Sequence, residues 1–209
     1  IKGTASDNSF SVYMDAAGRA NGLYFDHAGS LLACADENFE LLKIDKAKDH
    51  IVLVDEFQGK KLNGPNDLWV DSKGGIYFTD PYYQRPYWDR KEKELENERV
   101  YYLTPDRNDL RIVADNFVQP NGIIGTPDGK MIYIADIGDK KTYSFTISEN
   151  GDLNDRTLFT ELGSDGMTID NQGNLYLTGN GVTVFNNKGE EILQIPVPQK
   201  WTANVTFAG

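Results

Sequence analysis

The sequence predicts an all-β fold, a β-propeller of four-stranded antiparallel blades, on three observations. A phrase made of one Asn or Asp, an apolar strand, a polar turn and a second apolar strand recurs along the chain. The copies start 39 to 55 residues apart, which brackets the period of propeller blades. The longest apolar runs, such as Ile51 to Val54, are only strand-length.

Taken in order, the phrase reads NGLYFDHAGSLLACA from Asn21, NDLWVDSKGGIYFTD from Asn66, NGIIGTPDGKMIYIAD from Asn121, DGMTIDNQGNLYLTG from Asp165, and a shortened NVTFAG from Asn204. The internal stretches HAGS, SKGG, TPDGK and NQGN carry the Gly, Asp, Asn and Ser that reverse a chain between paired strands. Two further strand-like runs follow in each unit: Leu41 to Ile44 and Ile51 to Val54, Arg99 to Leu103 and Leu110 to Val113, Thr142 to Ile147 and Thr157 to Phe159, Val182 to Phe185 and Ile192 to Ile195. Four strands per unit make blades at about 21–57, 66–117, 121–161 and 165–197 within one domain over 1–209. Ser9 to Met14 reads as the last strand of a preceding blade and Asn204 to Phe207 as the first of a following one. Four blades with loose ends suit part of a larger ring, so the domain is expected to be incomplete at both ends. The longest period holds an aromatic and then highly charged insertion, Tyr82 to Glu98, expected as a loop or short helix that serves as a substrate lid or as solvated decoration.

At 209 residues, one core is the default. The 21 Lys and Arg against 32 Asp and Glu give a net charge of −11, which repels phosphate backbones and argues against a nucleic-acid partner. No apolar stretch reaches the ~18 residues of a membrane helix, so membrane insertion is not expected. A single cysteine, Cys34, excludes an intrachain disulfide and a cysteine-rich zinc site, and its apolar neighbours predict burial. His27 in a predicted turn and His50 before a strand have no partners that suggest a triad or zinc site, and both read as surface residues. Trp69 and Trp201 read as packing residues. No feature calls for an obligate protein partner.

In a propeller the strand that opens each blade lies innermost, which brings Asn21, Asn66, Asn121, Asp165 and Asn204 to one mouth of the central channel. Amide and carboxylate oxygens converging from separate blades are what a hard divalent cation requires. The alternative is that Asn and Asp at loop-to-strand junctions make Asx turns and tolerate left-handed backbone, which Gly22, Gly122 and Gly166 would also serve. A turn, however, needs no carboxylate in one blade and amides in the others.

LNGPNDLWVDSKGGIYFTDPYY at 62–83, QPNGIIGTPDGKMIYIAD at 119–136 and GSDGMTIDNQGNLYLTG at 163–179 resemble the gluconolactonase and senescence-marker-protein (regucalcin) family, particularly its bacterial gluconolactonase-like branch. The resemblance extends more loosely from Asn21 to the C-terminus. It implies a six-bladed propeller and a metal-dependent hydrolase that opens sugar lactones such as gluconolactone. It also implies one divalent metal at the channel mouth, commonly calcium, with zinc, magnesium or manganese as alternatives. Carried over by motif, Asn66, Asn121 and Asp165 match metal ligands, and Asp165, the one matched carboxylate, would also orient or deprotonate the attacking water. The family's N-terminal ligand Glu has no counterpart here. Animal members carry a substrate-holding Arg two residues before the first ligand Asn; that position is Gly64, and no substrate-binding residue is assigned. Asp80 before Pro81 also resembles the family, although a strand-terminal Asp before Pro is commonly a turn residue. The resemblance leans towards a bacterial, exported or periplasmic protein without assigning a compartment. Two other readings stand beside the lactonase: a phosphotriester or aryl-ester hydrolase on the same metal, and a non-catalytic propeller used for binding, which an exposed aromatic patch around Tyr82, Tyr83, Tyr87 and Trp88 would favour.

Overall fold

The computed structural model describes residues 2–4 and 9–207. Strand follows strand with no helix among the described residues. The chain opens with a hairpin of β1 (Lys2–Thr4) and β2 (Ser9–Ser11). Sheet I holds β3 (Ala20–Phe25), β4 (Leu31–Ala35), β5 (Glu40–Ile44) and β6 (His50–Val54). A short ribbon of β7 (Glu56–Phe57) and β8 (Lys60–Lys61) leads to sheet II: β9 (Leu68–Val70), β10 (Ile76–Asp80), β11 (Glu98–Leu103) and β12 (Leu110–Phe117). Sheet III contains β13 (Pro120–Gly125), β14 (Met131–Asp136), β15 (Lys141–Ile147) and β16 (Leu153–Thr160). Sheet IV contains β17 (Met167–Ile169), β18 (Leu175–Gly179), β19 (Gly181–Phe185) and β20 (Glu191–Ile195). Each of the four sheets is an antiparallel meander in chain order, which short hairpin turns can connect without a crossover.

The turns show how local chemistry sets these hairpins. Asp26, Asp71, Asp170 and Asn186 each accept, through Oδ1, the backbone N–H groups two and four residues ahead, at 2.8 to 3.1 Å. Thr104 and Thr126 do similar work through their hydroxyls, closing the turns onto Asp109 and Met131.

Neighbouring sheets pack face to face. Leu32, Cys34 and Leu41 of sheet I meet Leu68, Phe78 and Tyr101 of sheet II in one buried cluster. Trp69, Tyr77 and Tyr102 meet Ile123, Ile132 and Phe145 of sheet III in a second, and Tyr133 and Ala135 meet Met167, Leu175 and Phe185 of sheet IV in a third. The opening strands β3, β9, β13 and β17 stand next to one another in that order, so the sheets fan out from one edge as propeller blades do. The four blades do not close into a ring among the described residues.

Two expected strands differ. Ser9 to Met14 is a strand only over Ser9–Ser11, where it pairs with Lys2–Thr4. Residues 204–207 form no strand; the backbone is held just upstream, where the Ala203 carbonyl accepts the Gly166 N–H at 2.7 Å and Thr202 N–H donates to the Gly179 carbonyl at 2.8 Å. The last two residues of the fifth phrase, Ala208 and Gly209, lie outside the described residues. Cys34 is fully buried, and burial pushes its thiol well above the ordinary range. His27 is exposed, with Nε2 donating to the Asp71 carbonyl at 2.8 Å, and His50 is exposed at the start of β6. Among the described residues no helix is long and apolar enough to cross a membrane.

Candidate metal centre

Asn21, Asn66, Asn121, Asp165 and Asn204, one from each copy of the repeated phrase, line a single small cavity of ≈ 10 Å³, together with Gly22, Asp67, Gly166 and Ala203. That is room for about one water or one ion. The left-handed-backbone explanation fails at these positions, since none of the five residues, nor Gly22, Gly122 or Gly166, has a positive φ. The glycines answer a different need. A Cβ on Gly22 would stand 2.5 Å from the Asn66 carbonyl oxygen, and one on Gly122 would stand 2.6 Å from the Asp165 carbonyl oxygen. A Cβ on Gly166 would collide with the Asn204 side chain. Each glycine is therefore where one opening strand approaches the next, and Gly22 N–H donates to the Asn66 carbonyl at 2.7 Å across that contact. Thr79 at the end of β10 reaches the other way, its hydroxyl donating to the Asn121 carbonyl at 2.8 Å.

The side chains in the cavity are under-bonded in a specific way. Asn121 is 4% exposed; its Nδ2 donates to the Tyr83 hydroxyl at 2.9 Å, while its Oδ1 is buried with no partner. The buried Asn66 side chain makes no hydrogen bond among the described residues. Asp165 accepts, on Oδ2, the Trp201 indole N–H at 2.8 Å. Trp201 is exposed and orients this carboxylate, which a packing role does not describe. No signal in the residues flanking Trp201 foretells that contact, because 36 residues separate it from Asp165.

Asp67, next to Asn66, was not foreseen as part of the site. It is buried and lines the cavity, and burial raises its carboxyl to about 7 against the opposing pull of the Leu68 and Ile123 N–H groups, with the nearby Asp165 charge adding to the rise. Two carboxylates that repel one another beside an orphaned amide oxygen suit a cation between them. Among the described residues no group of three or more His, Cys, Asp or Glu comes together to hold a metal, so a shell at this cavity would have to draw on amide oxygens as well. An oxygen shell drawn from amides and Asp165 fits a hard ion.

The insertion after β10 contains no helix and reaches the cavity's lining through Tyr83, whose hydroxyl bonds Asn121. Asp36 at the end of β4 accepts from Arg85 Nε at 2.8 Å and from the Tyr87 hydroxyl at 2.6 Å, and its carbonyl accepts the Trp88 indole N–H at 2.7 Å. Trp88 is buried against Phe39 and Tyr82. Arg90 donates to the carbonyls of Leu62 and Asn63 and lies 3.7 Å over the Phe39 ring. The segment is thus clasped onto sheet I; of the four aromatics whose exposure would have favoured a binding module, Trp88 is buried, Tyr82 and Tyr83 are half buried and Tyr87 is exposed. Tyr83, half buried, keeps its proton at neutral pH, since burial lifts its phenol to about 12.

Gly64 has φ +151°, and a Cβ there would lie 3.0 Å from the Trp88 ring. At the position of the animal arginine a side chain would therefore be strained by the backbone and tight against Trp88. Asp80 is buried and accepts the Asn63 and Gly64 N–H groups at 2.9 and 2.8 Å, which makes it a staple under the loop that carries Asn66 and not a turn residue. Asp136 does the same for Val118 and Gln119, ahead of Asn121.

The comparisons with known proteins agree with this architecture. Residues 3–209 match the model of the SMP-30/gluconolactonase/LRE-like region. A gluconolactonase of Zymomonas mobilis is 29% identical over 187 residues, 82% of this chain and 52% of the relative. Lactonase drp35 of Staphylococcus aureus is 31% identical over 147 residues, 65% of this chain and 42% of the relative. The chain thus spans about half the length, or less, of these curated relatives. The solved structure of a gluconolactonase from Xanthomonas campestris superposes with a TM-score of 0.88 at 33% identity, covering 94% of this chain and 68% of that one. The chain belongs to the SMP-30/gluconolactonase/LRE-like family.

Proposed function

We propose that this protein hydrolyses a lactone at the cavity of Asn66, Asn121 and Asp165, with a divalent ion of the calcium type as cofactor. The observation that carries the proposal is the buried, partnerless Oδ1 of Asn121 in a cavity shared with Asn66 and Asp165. The names of the relatives, gluconolactonase and lactonase, support the substrate class. A six-bladed ring, of which these four blades are a part, belongs to the same proposal.

Asn66, Asn121 and Asp165 would hold the ion; bound there, it would supply Lewis acidity to a lactone carbonyl and to the oxyanion formed on it. Neutral amides leave an ion more electrophilic than carboxylates would. Asp165, with Oδ2 fixed by Trp201, orients the attacking water and takes up its proton as the new C–O bond forms. The ring C–O bond then breaks, and the leaving oxygen recovers a proton to give the hydroxy acid. Trp88 and the clasped insertion hold Tyr83 against Asn121 beside the site.

Hydrolysis of glucono-1,5-lactone in a pH-stat, with calcium or with EDTA and corrected for the spontaneous rate, tests the reading. Calcium-dependent turnover is expected, and Asp165→Asn should lower it by about 10² to 10⁴-fold. Turnover that ignores EDTA rejects the metal; absence of turnover on a panel of lactones rejects the activity.

A further inference from the structure

Asn121 has an amide whose two ends are chemically opposite, and a cation site tolerates only one of them. With Oδ1 in the cavity the group donates electron density to a cation; flipped, it would present two N–H groups and repel one. Nothing in the sequence of β13 selects the orientation. The structure supplies an anchor from elsewhere: the Tyr83 hydroxyl, on the insertion that follows β10, receives Nδ2–H at 2.9 Å and leaves Oδ1 buried and unpaired, the end open to a cation. Tyr83 is itself held. The Arg85 guanidinium lies 5.3 Å from its ring centroid and is anchored to Asp36, and the adjacent Tyr82 carbonyl accepts Gln119 Nε2 at 3.4 Å.

We infer that Tyr83 is a positioning residue that anchors the nitrogen end of the Asn121 amide and so leaves its oxygen to the cation, by which the clasped insertion sets metal affinity from outside the coordination shell. The inference rests on the proposed metal reading and adds a residue and an element to it. Partners that orient a metal ligand typically govern affinity by tens of fold. The clasp through Asp36, Arg85 and Trp88 then has a purpose beyond covering sheet I: it brings one phenol to one amide.

Calcium titration calorimetry on the protein tests this, with thermal unfolding of the metal-free form as the control. Tyr83→Phe keeps the ring and removes the acceptor. Its calcium Kd should rise about tenfold or more, while the metal-free unfolding temperature changes by no more than about 4 °C. In an Asn121→Asp background both ends of the side chain are oxygens, so Tyr83→Phe should there change the Kd by less than about twofold. Equal loss in both backgrounds overturns the inference, because Tyr83 would then act on the site without orienting the amide. An unchanged Kd for Tyr83→Phe in the natural background, where the wild type binds calcium, overturns it as well. If Asn121→Asp no longer binds calcium, the comparison in the natural background decides alone. Failure of the wild type to bind calcium rejects the metal reading and this inference with it.

Discussion

Gly22 stands where the opening strands of sheets I and II come closest, with its N–H bonded to the Asn66 carbonyl. Gly22→Ala would force a methyl to 2.5 Å from that oxygen, and the backbone on both sides must give way. A loss of about 1–3 kcal/mol is expected, read as a lower urea midpoint at unchanged slope. The Asn-Gly pairs were legible in the sequence, yet their cause was not, since a turn and a close approach between sheets ask for the same residue. Asp80 shows the same limit. Burial raises its carboxyl from 3.8 to about 7, so the folded state favours the protonated form. That contribution is fully present below pH ~4 and is lost as the pH rises through ~7. Unfolding free energy should therefore decline over this window. Asp67 and Glu98, both raised by burial, act in the same direction, so Asp80→Asn should remove part of the decline, and not all of it, in denaturant titrations across that pH range.

At the scale of the element, the insertion from Tyr82 to Glu98 has no regular structure before β11 begins at Glu98. Its composition, aromatic and then charged, leaves lid, decoration and binding patch open. Asp36 shows how it is held, because one side chain and its carbonyl together receive Arg85, Tyr87 and Trp88. Trp88→Ala removes a buried indole and its hydrogen bond, with an expected cost of about 3–5 kcal/mol. Limited proteolysis should then cut within residues 82–97 before any strand; an unchanged digestion pattern would show that the clasp does not depend on Trp88. Gly64→Arg, which places the animal residue in this loop, meets both the Trp88 ring and a left-handed backbone, and should destabilise the protein by at least about 1 kcal/mol without improving turnover.

For the whole molecule, the ring of opening residues links blades that are separate in sequence. An ion held by Asn66, Asn121 and Asp165 would tie sheets II, III and IV together and oppose their separation on unfolding. At a free calcium concentration of about 100 times Kd, binding adds ~2.7 kcal/mol to stability. The unfolding temperature should rise with calcium and fall on adding EDTA, and Asp165→Asn should abolish the difference.

The sequence by itself determined the strand order, the hairpin turns and the recurrence of one polar residue at the head of each blade. These are local matters: alternation, turn chemistry and period act within a few residues, and Asp71 or Thr126 closes its turn with groups beside it in the chain. Only the tertiary structure decided what anchors Asn121, what holds Asp165, that Asp67 belongs to the cavity and that Gly64 stands tight against the Trp88 ring. Each of those depends on a partner at least 24 positions away, Trp88 for Gly64 and Trp201, Tyr83 or Asp165 for the others. Distances of that kind are set by how sheets pack on one another, and no pattern within one strand records them.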